Sequence, residues 1–226
     1  MNILFTKKDL DKKLISKTLG EHFSYDFIDV IKIKPTGIEP FDLKNKSIIF
    51  TSINGVEAFF ENGFKPNEDF TDKNFNKIYC VGKKTKKKVR HYGFGTFKVQ
   101  KHAKDLADFI VDNSHGEKFL HFCGNLALNV LDKTLPLQNI SYKKIPVYET
   151  ELLYPIIKKP FNSVVFFSPS GVRSFVKYND LNDKKLFSIG QTTEKELKKY
   201  TKAKIYTSKE SNLEDLLNVI AQTKNS

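Results

Sequence analysis

The chain is written twice, and this duplication limits it to folds assembled from two like halves. The segment IIFTSINGVEAFF at 48–60 returns as VVFFSPSGVRSFV at 164–176, an offset of 116. In both, an apolar run leads to a serine (Ser52, Ser168), then a Gly-Val pair (Gly55-Val56, Gly171-Val172), then a phenylalanine (Phe59, Phe175). IYCVGKKTKKKV at 78–89 returns as LFSIGQTTEKEL at 186–197, matching Gly82 with Gly190 and Thr85 with Thr193 at offset 108. DLADFI at 105–110 and NLEDLL at 212–217 follow at offset 107. A weaker match at offset 117 pairs NILFT (2–6) with FLHFC (119–123) and FSYDFIDVI (23–31) with ISYKKIPVY (140–148). Changes of loop length between copies produce a drift of this size.

Each copy reads as strand, turn, helix, repeated. SIIFT, KIYCVG, SVVFFS and KLFSIG are short and almost continuously apolar, the pattern of strands buried on both faces. Between them GVEAFFENG, KKTKKKVRHYG, GVRSFVKYN, TTEKELKKY and LEDLLNVIAQT carry helical patterns. Alternating β and α elements predict parallel sheets with helices on both faces. The expected fold class is therefore α/β: two similar flavodoxin-like domains, each a parallel sheet flanked by helices, joined by a two-stranded ladder. The extended runs IDVIKIKP (28–35) and IPVYETEL (145–152) supply that ladder. This places a discontinuous domain at 1–34 and 151–226, a continuous domain at 43–142, and connecting strands at 28–42 and 143–152. A simple tandem arrangement of the copies is the alternative.

The formal net charge is +12 over 226 residues, which favours an anionic partner: nucleic acid, an acidic membrane surface or a small polyanion. Only Arg90 and Arg173 are arginines, whereas nucleic-acid readers draw on arginine for base edges and phosphates. The run KKTKKKVR (83–90) holds six basic residues in eight positions. On a helix most of them face solvent, with Lys83 and Lys84 best placed to meet an acidic ligand; a lysine-rich surface also serves solubility alone. Cys80 and Cys123 are too few and too far apart for a disulfide framework or zinc site, and read as buried small hydrophobes in a reducing cytoplasm. MNILFTKKDL lacks the apolar core of a signal peptide, and no run approaches the ~18–20 apolar residues of a membrane span. The cytoplasm is the expected location. His22, His91, His102, His115 and His121 show no metal spacing, and no P-loop, HExxH or GxSxG occurs. We expect a reaction without metal, redox cofactor or covalent nucleophile.

Ligands of open α/β sheets bind beyond the carboxyl ends of the strands. The hydroxyls and glycines of this chain gather there: Thr51, Ser52 and Asn54 after one strand, Gly82 and Thr85 after the next. Ser168, Ser170 and Gly171, then Gly190, Thr192 and Thr193, repeat this in the other copy. A helix N-terminus offers free N–H groups and a partial positive charge, which attract carboxylates or phosphates. Any single serine or threonine at such a place reads equally well as an N-cap. Four such junctions, two per domain, point to a binding surface for an anion.

The motifs Phe50-Thr51-Ser52-Ile53-Asn54-Gly55-Val56, Val81-Gly82 through Thr85, Val147-Tyr148-Glu149-Thr150, Phe167-Ser168-Pro169-Ser170-Gly171-Val172 and Ile189-Gly190-Gln191-Thr192-Thr193 follow one another along the chain. In this order they resemble the uroporphyrinogen-III synthase family, over nearly the whole length. The resemblance implies two α/β domains linked by a two-stranded ladder and a cofactor-free lyase acting on hydroxymethylbilane, a linear tetrapyrrole with acetate and propionate arms on every ring. That family removes the terminal hydroxyl as water, inverts the last pyrrole ring and closes the macrocycle to uroporphyrinogen III. It implies Tyr148 as the catalytic group, donating to the departing hydroxyl, and Ser52, Thr85, Ser168, Ser170 and Thr193 as substrate-binding hydroxyls. The junctions add Thr51, Asn54, Gly82, Gly171, Gly190 and Thr192. Where the family often has an arginine after the first strand this chain has Lys7, and the family's later glycine–arginine helix start stands as Cys123-Gly124-Asn125-Leu126-Ala127, without the arginine. The expected partner is a small-molecule linear tetrapyrrole, with no nucleic acid, no membrane and no second subunit, so a monomer. A non-catalytic two-domain anion-binding module and a nucleic-acid binder using 83–90 are the competing readings.

Overall fold

The computed structural model describes residues 2–20, 23–114 and 116–223; His22 and His115 lie outside them. In chain order the first elements are β1 (Asn2–Phe5), α1 (Lys12–Leu19), β2 (Ser24–Phe27) and β3 (Ile31–Pro35). Next come β4 (Ser47–Phe50), α2 (Ile53–Glu61), β5 (Ile78–Val81), α3 (Lys83–His91), β6 (Lys98–Gln100) and α4 (Ala103–Asn113). The chain continues with β7 (Lys118–Gly124), α5 (Val130–Thr134) and β8 (Ser141–Leu152). It ends with β9 (Ser163–Phe166), α6 (Pro169–Val176), β10 (Lys185–Ser188), α7 (Gln191–Leu197), β11 (Ile205–Thr207) and α8 (Leu213–Gln222). Every residue of SIIF in β4 and SVVF in β9 is buried, as their almost continuous apolar runs predict for central strands. Short polar side chains start the helices by accepting a free N–H: Asp11 for α1, Ser52 for α2, Ser168 for α6 and Asn212 for α8.

Two sheets result. One has the order β11-β10-β9-β1-β2 and the other β3-β8-β7-β4-β5-β6. All four neighbouring pairs in the first sheet are parallel, as are the β8-β7, β7-β4, β4-β5 and β5-β6 pairs in the second. The duplication is therefore spatial as well as sequential: β9, β10 and β11 repeat β4, β5 and β6, while β1 and β2 are repeated by β7 and β8. In chain order the first sheet reads 2-1-3-4-5, the flavodoxin-like order. The second has the same layout, entered at β4, with β3 added outside β8.

The chain forms two compact units, Met1–Lys32 with Glu151–Ser226, and Ile33–Thr150. It leaves the first unit within β3 and returns at the end of β8, and these two strands are neighbours in the six-stranded sheet. In each unit the sheet is covered on both faces. In the Ile33–Thr150 unit, Val56 and Phe59 of α2 and Val89 of α3 pack with Ile48, Phe50 and Phe122; on the other face Leu106 and Ile110 of α4 and Leu131 of α5 pack with Ile49, Tyr79 and Phe119. In the discontinuous unit, Val172 and Phe175 of α6 and Leu197 of α7 cover Val164, Phe166 and Leu186, while Ile15 of α1 and Leu216 and Ile220 of α8 cover Ile3, Phe5 and Phe187. Cys80 and Cys123 are both buried, and burial pushes each thiol up to about 12.

Ladder register corrects one alignment between the copies. Ile3 pairs with Ser163 and Phe119 with Ser47, and Ser47 and Ser163 are themselves equivalent at offset 116. NILFT at 2–6 thus corresponds to KFLHF at 118–122 rather than FLHFC, and Phe5 to His121. A one-residue slip exchanges the two faces of a strand, but a run apolar on both faces has no period-two signal to reveal the slip. FSYDFIDVI keeps offset 117, because Ile3 pairs with Tyr25 and Phe119 with Tyr142.

Candidate functional site

In a doubly wound sheet a crevice opens at the switch point, where connections from adjacent strands leave in opposite directions. The switch point lies between β4 and β7 in the Ile33–Thr150 unit, and between β1 and β9 in the other. Each sits at the carboxyl ends of its strands.

At the β4/β7 switch point, Ser52 has an extended backbone and its Oγ accepts the N–H of Gly55 at 3.0 Å, starting α2. The same Oγ lies 3.1 Å from the hydroxyl of Tyr148. Tyr148 belongs to β8 and is only 8% exposed. It arrives there through a register shift in the β7–β8 ladder, which pairs Cys123 with Pro146 and then Gly124 with Tyr148. The shift lays the phenol ring on Gly124. A Cβ at 124 would come within 2.5–2.9 Å of the ring and its hydroxyl, so only glycine fits. Asn125 holds the strand beyond, donating its N–H to the Tyr148 carbonyl at 3.2 Å and accepting the Thr150 N–H at 2.9 Å. Gly55 lets the start of α2 press against β7; a Cβ there would lie 2.7 Å from the Phe122 carbonyl oxygen.

Burial pushes the Tyr148 phenol above its ordinary range. The hydrogen bond with Ser52 pulls it back, Cys123 raises it, and the Gly124 N–H and the Asn54 side chain lower it again. The phenol oxygen thus shares hydrogen bonds with Ser52, Gly124 and Asn54, which oppose the effect of burial. Thr51, beside Ser52, points to the other face of the sheet. Its hydroxyl is 2.9 Å from Nε2 of His121, whose Nδ1 is 2.7 Å from the Tyr142 hydroxyl. At the next strand end, Gly82 adopts φ +88°, a conformation that favours glycine. Its N–H donates to the Gln100 carbonyl at 2.8 Å. Thr85 is 4% exposed, whereas Lys83 and Lys84 are exposed at the start of α3.

At the β1/β9 switch point, Ser168 accepts the Gly171 N–H at 3.0 Å and lies 3.1 Å from Ser170 Oγ. Gly171 packs on Val30, whose side chain would stand 3.2 Å from a Cβ there. Lys7 is exposed, just after Thr6, whose hydroxyl donates to the Val165 carbonyl at 2.8 Å. One strand further, Gly190 is extended and the side chain of Ser211 fills the place of its missing Cβ. Thr193 is 2% exposed and Thr192 is exposed.

The structure therefore brings Ser52, Asn54 and Tyr148 together, and Ser168 with Ser170, within their own units. His121 and Tyr142 escaped sequence reasoning as site residues, and Gly124 and Asn125, expected as a helix start, instead end and follow β7, with α5 beginning only at Val130. Duplication marks 124–125 as a strand-end junction, which was a usable signal. A single histidine inside the apolar run FLHFC carried none. Among the described residues no cluster of His, Cys, Asp and Glu suits a metal ion, and no helix is long and apolar enough to cross a membrane.

Known proteins resemble the chain throughout. The model of the family described as uroporphyrinogen-III synthase HemD matches residues 23–218. Among solved structures, uroporphyrinogen-III synthetase from Helicobacter pylori superposes over 98% of this chain and 99% of its own, with a TM-score of 0.68 at 20% identity. A mutant uroporphyrinogen III synthase from the extremely thermophilic bacterium Thermus thermophilus superposes over 100% of this chain and 98% of its own, with a TM-score of 0.68 at 12% identity. A comparison with curated proteins finds none that matches. At these identities the structural likeness is one of fold.

Proposed function

The chain belongs to the uroporphyrinogen-III synthase family, and from that premise we propose that it closes hydroxymethylbilane to uroporphyrinogen III with Tyr148 as the proton donor. The carrying observation is the Tyr148 hydroxyl held 3.1 Å from Ser52 at the β4/β7 switch point. The bond to break joins the terminal hydroxymethyl carbon to its oxygen. A proton from Tyr148, made good by the proton that the closing ring later loses, lets that oxygen depart as water, while the adjacent pyrrole nitrogen supplies the electron pair and leaves an azafulvene cation. The substituted carbon of the last pyrrole then attacks, forming a spiro centre. Migration of the bond inverts the ring, and loss of a carbon-bound proton restores the aromatic pyrrole as the macrocycle closes.

A phenol with an unperturbed pKa of ~10 is a weak acid, so position matters more than acidity. The hydrogen bonds to the Tyr148 oxygen, first from the Ser52 pair and then from Gly124 and Asn54, support this role because they favour the charged phenolate against burial. Pyrrole chemistry supplies its own driving force once the hydroxyl is activated. The protein's larger task is to hold a flexible chain so that the substituted carbon attacks, and orientation of this kind contributes ~7–11 kcal/mol in favourable cases. We assign the carboxylate arms to the hydroxyl and N–H donors at the strand ends: Thr51, Ser52, Asn54, Gly82 and Thr85 in one unit, and Ser168, Ser170, Gly171, Gly190, Thr192 and Thr193, with Lys7, in the other. We expect a cytoplasmic monomer that does not bind nucleic acid.

Purified protein given hydroxymethylbilane should divert it from the type I isomer, which forms spontaneously, to type III. Type I product alone would overturn the assignment, and binding without product would return the chain to the anion-binding module.

A further inference from the structure

We propose that Lys144 is a positioning residue for the reaction proposed above: through Ala127 it fixes the turn at Gly124 and Asn125 that seats Tyr148. The catalytic consequence rests on that function; the tether itself does not. Ile145, Val147 and Tyr148 all belong to the cluster that packs around Phe122 under α2 and α3, although Val147 and Tyr148 are neighbours. Adjacent residues of a regular strand face opposite sides. The register shift that pairs Cys123 with Pro146 and then Gly124 with Tyr148 is what turns the phenol to the Ser52 side. That shift needs the end of β7 to keep its place, because Gly124 lies against the ring and Asn125 donates its N–H to the Tyr148 carbonyl at 3.2 Å.

Residues 125–129 form no helix before α5, and α5 has five residues, too short to hold itself. Lys144, on the opposite face of β8, ties this segment down. Its ammonium donates to the Ala127 carbonyl at 3.1 Å, the Asn129 side-chain oxygen at 3.0 Å and Asp132 Oδ2 at 3.2 Å. An ammonium has three hydrogens and accepts none, so the direction of every bond is fixed. Ala127 passes the hold on, since its own N–H donates to the Gly124 carbonyl at 3.1 Å. The path from Lys144 to the phenol therefore runs through two residues, Ala127 and Gly124.

The other unit shows that the backbone does not need this ammonium. His121 pairs with Lys144, and its counterpart Phe5 pairs with Phe27, so Phe27 stands at the equivalent position. It stacks on Phe5 with ring centroids 5.3 Å apart. There the loop after β1 is held by carboxylates, Asp29 accepting the Lys8 N–H and Asp11 the Leu14 N–H, each at 2.9 Å. A lysine side chain 20% exposed beside a carboxylate 29% exposed carries a desolvation cost that a phenylalanine does not. The costlier residue stands in the unit that seats Tyr148.

Lys144→Met alone would strand the Asp132 carboxylate, so the variant to use is Lys144→Met with Asp132→Asn, judged against Asp132→Asn, which keeps the bonds to Ala127 and Asn129. In the ligand-free protein, amide exchange followed by NMR should quicken about tenfold or more at Asn125 and Thr150, with β4 amides unchanged. Unchanged protection at Asn125 and Thr150 overturns the tether, and so does a rise that β4 shares, which means general loss of stability. With hydroxymethylbilane, kcat should fall about tenfold or more while KM changes little. In a Tyr148→Phe background the same substitution should lower kcat no further, and Lys144→Arg should stay nearer wild type than Lys144→Met. An unchanged kcat, or equal losses with and without the Tyr148 hydroxyl, would sink the idea. If the wild-type protein forms only the type I isomer, the functional reading fails, while the exchange measurement still judges the tether.

Discussion

The two switch points share a backbone and part company in their side chains. Ser52 and Ser168 cap their helices alike, each accepting a glycine N–H at 3.0 Å. Beyond the cap, Ser52 meets the Tyr148 phenol, whereas Ser168 meets Ser170. On the opposite face the Thr51–His121–Tyr142 chain stands where Phe167, Phe5 and Tyr25 pack. A capping serine is thus the part of the junction that builds a helix, and what stands beside it determines whether chemistry follows. The function proposed above assigns the reaction to the β4/β7 switch point and holding of the substrate to the β1/β9 switch point.

The sharpest way to break this asymmetry is Tyr148→Phe. It should lower kcat by about a hundredfold or more, the usual effect of a positioned proton donor, with thermal unfolding unchanged; full activity would reduce Tyr148 to packing. Next comes acid. His121 has a folded value of about 4 against 6.5 ordinarily, so the folded protein binds fewer protons than the unfolded chain between these values. Its contribution is fully present above pH 6.5 and is lost as pH falls through 4, about 3 kcal/mol in all. Urea titrations across this range should show that slope in wild type and lose it in His121→Phe, because Phe5 already gives the other unit no such term.

A smaller effect separates the twin glycines. Gly55→Ala meets the Phe122 carbonyl at 2.7 Å, and backbone cannot step aside; Gly171→Ala meets side chains at 3.1 and 3.2 Å, which can. We expect about 2 kcal/mol lost in the first and under about 1 in the second, read from thermal unfolding. Equal losses would mean that α6 is pressed on its sheet as tightly as α2. Smallest is the cap pair. Ser52→Ala and Ser168→Ala should each cost about 1 kcal/mol of stability, but the first should also slow turnover, since it removes the hydrogen-bond partner of Tyr148. Parallel kinetics in both would erase the distinction between the switch points.

Much of this architecture was legible in the residues. The repeated Ser-x-x-Gly-Val pattern located both capped helices, and the runs SIIF and SVVF announced central strands because strands buried on both faces are almost continuously apolar. The segment VYET carried the family resemblance and pointed to Tyr148. It did not reveal that the ring would rest on Gly124, since the register shift that puts it there is a relation between two strands. Thr51 read as one more hydroxyl at a strand end, and His121 as a lone histidine in an apolar run; only the pairing of β4 with β7 sets them 2.9 Å apart.

By itself the sequence determined the alternation of elements, the duplication and the capped junctions, because periodicity and caps are properties of neighbouring residues. Tertiary structure alone decided the strand order, the one-residue correction between β1 and β7, the seat of Tyr148 and the contacts of the buried His121. Each of those depends on hydrogen bonds or close approach between segments tens of residues apart, and no local pattern encodes which backbone atoms will meet.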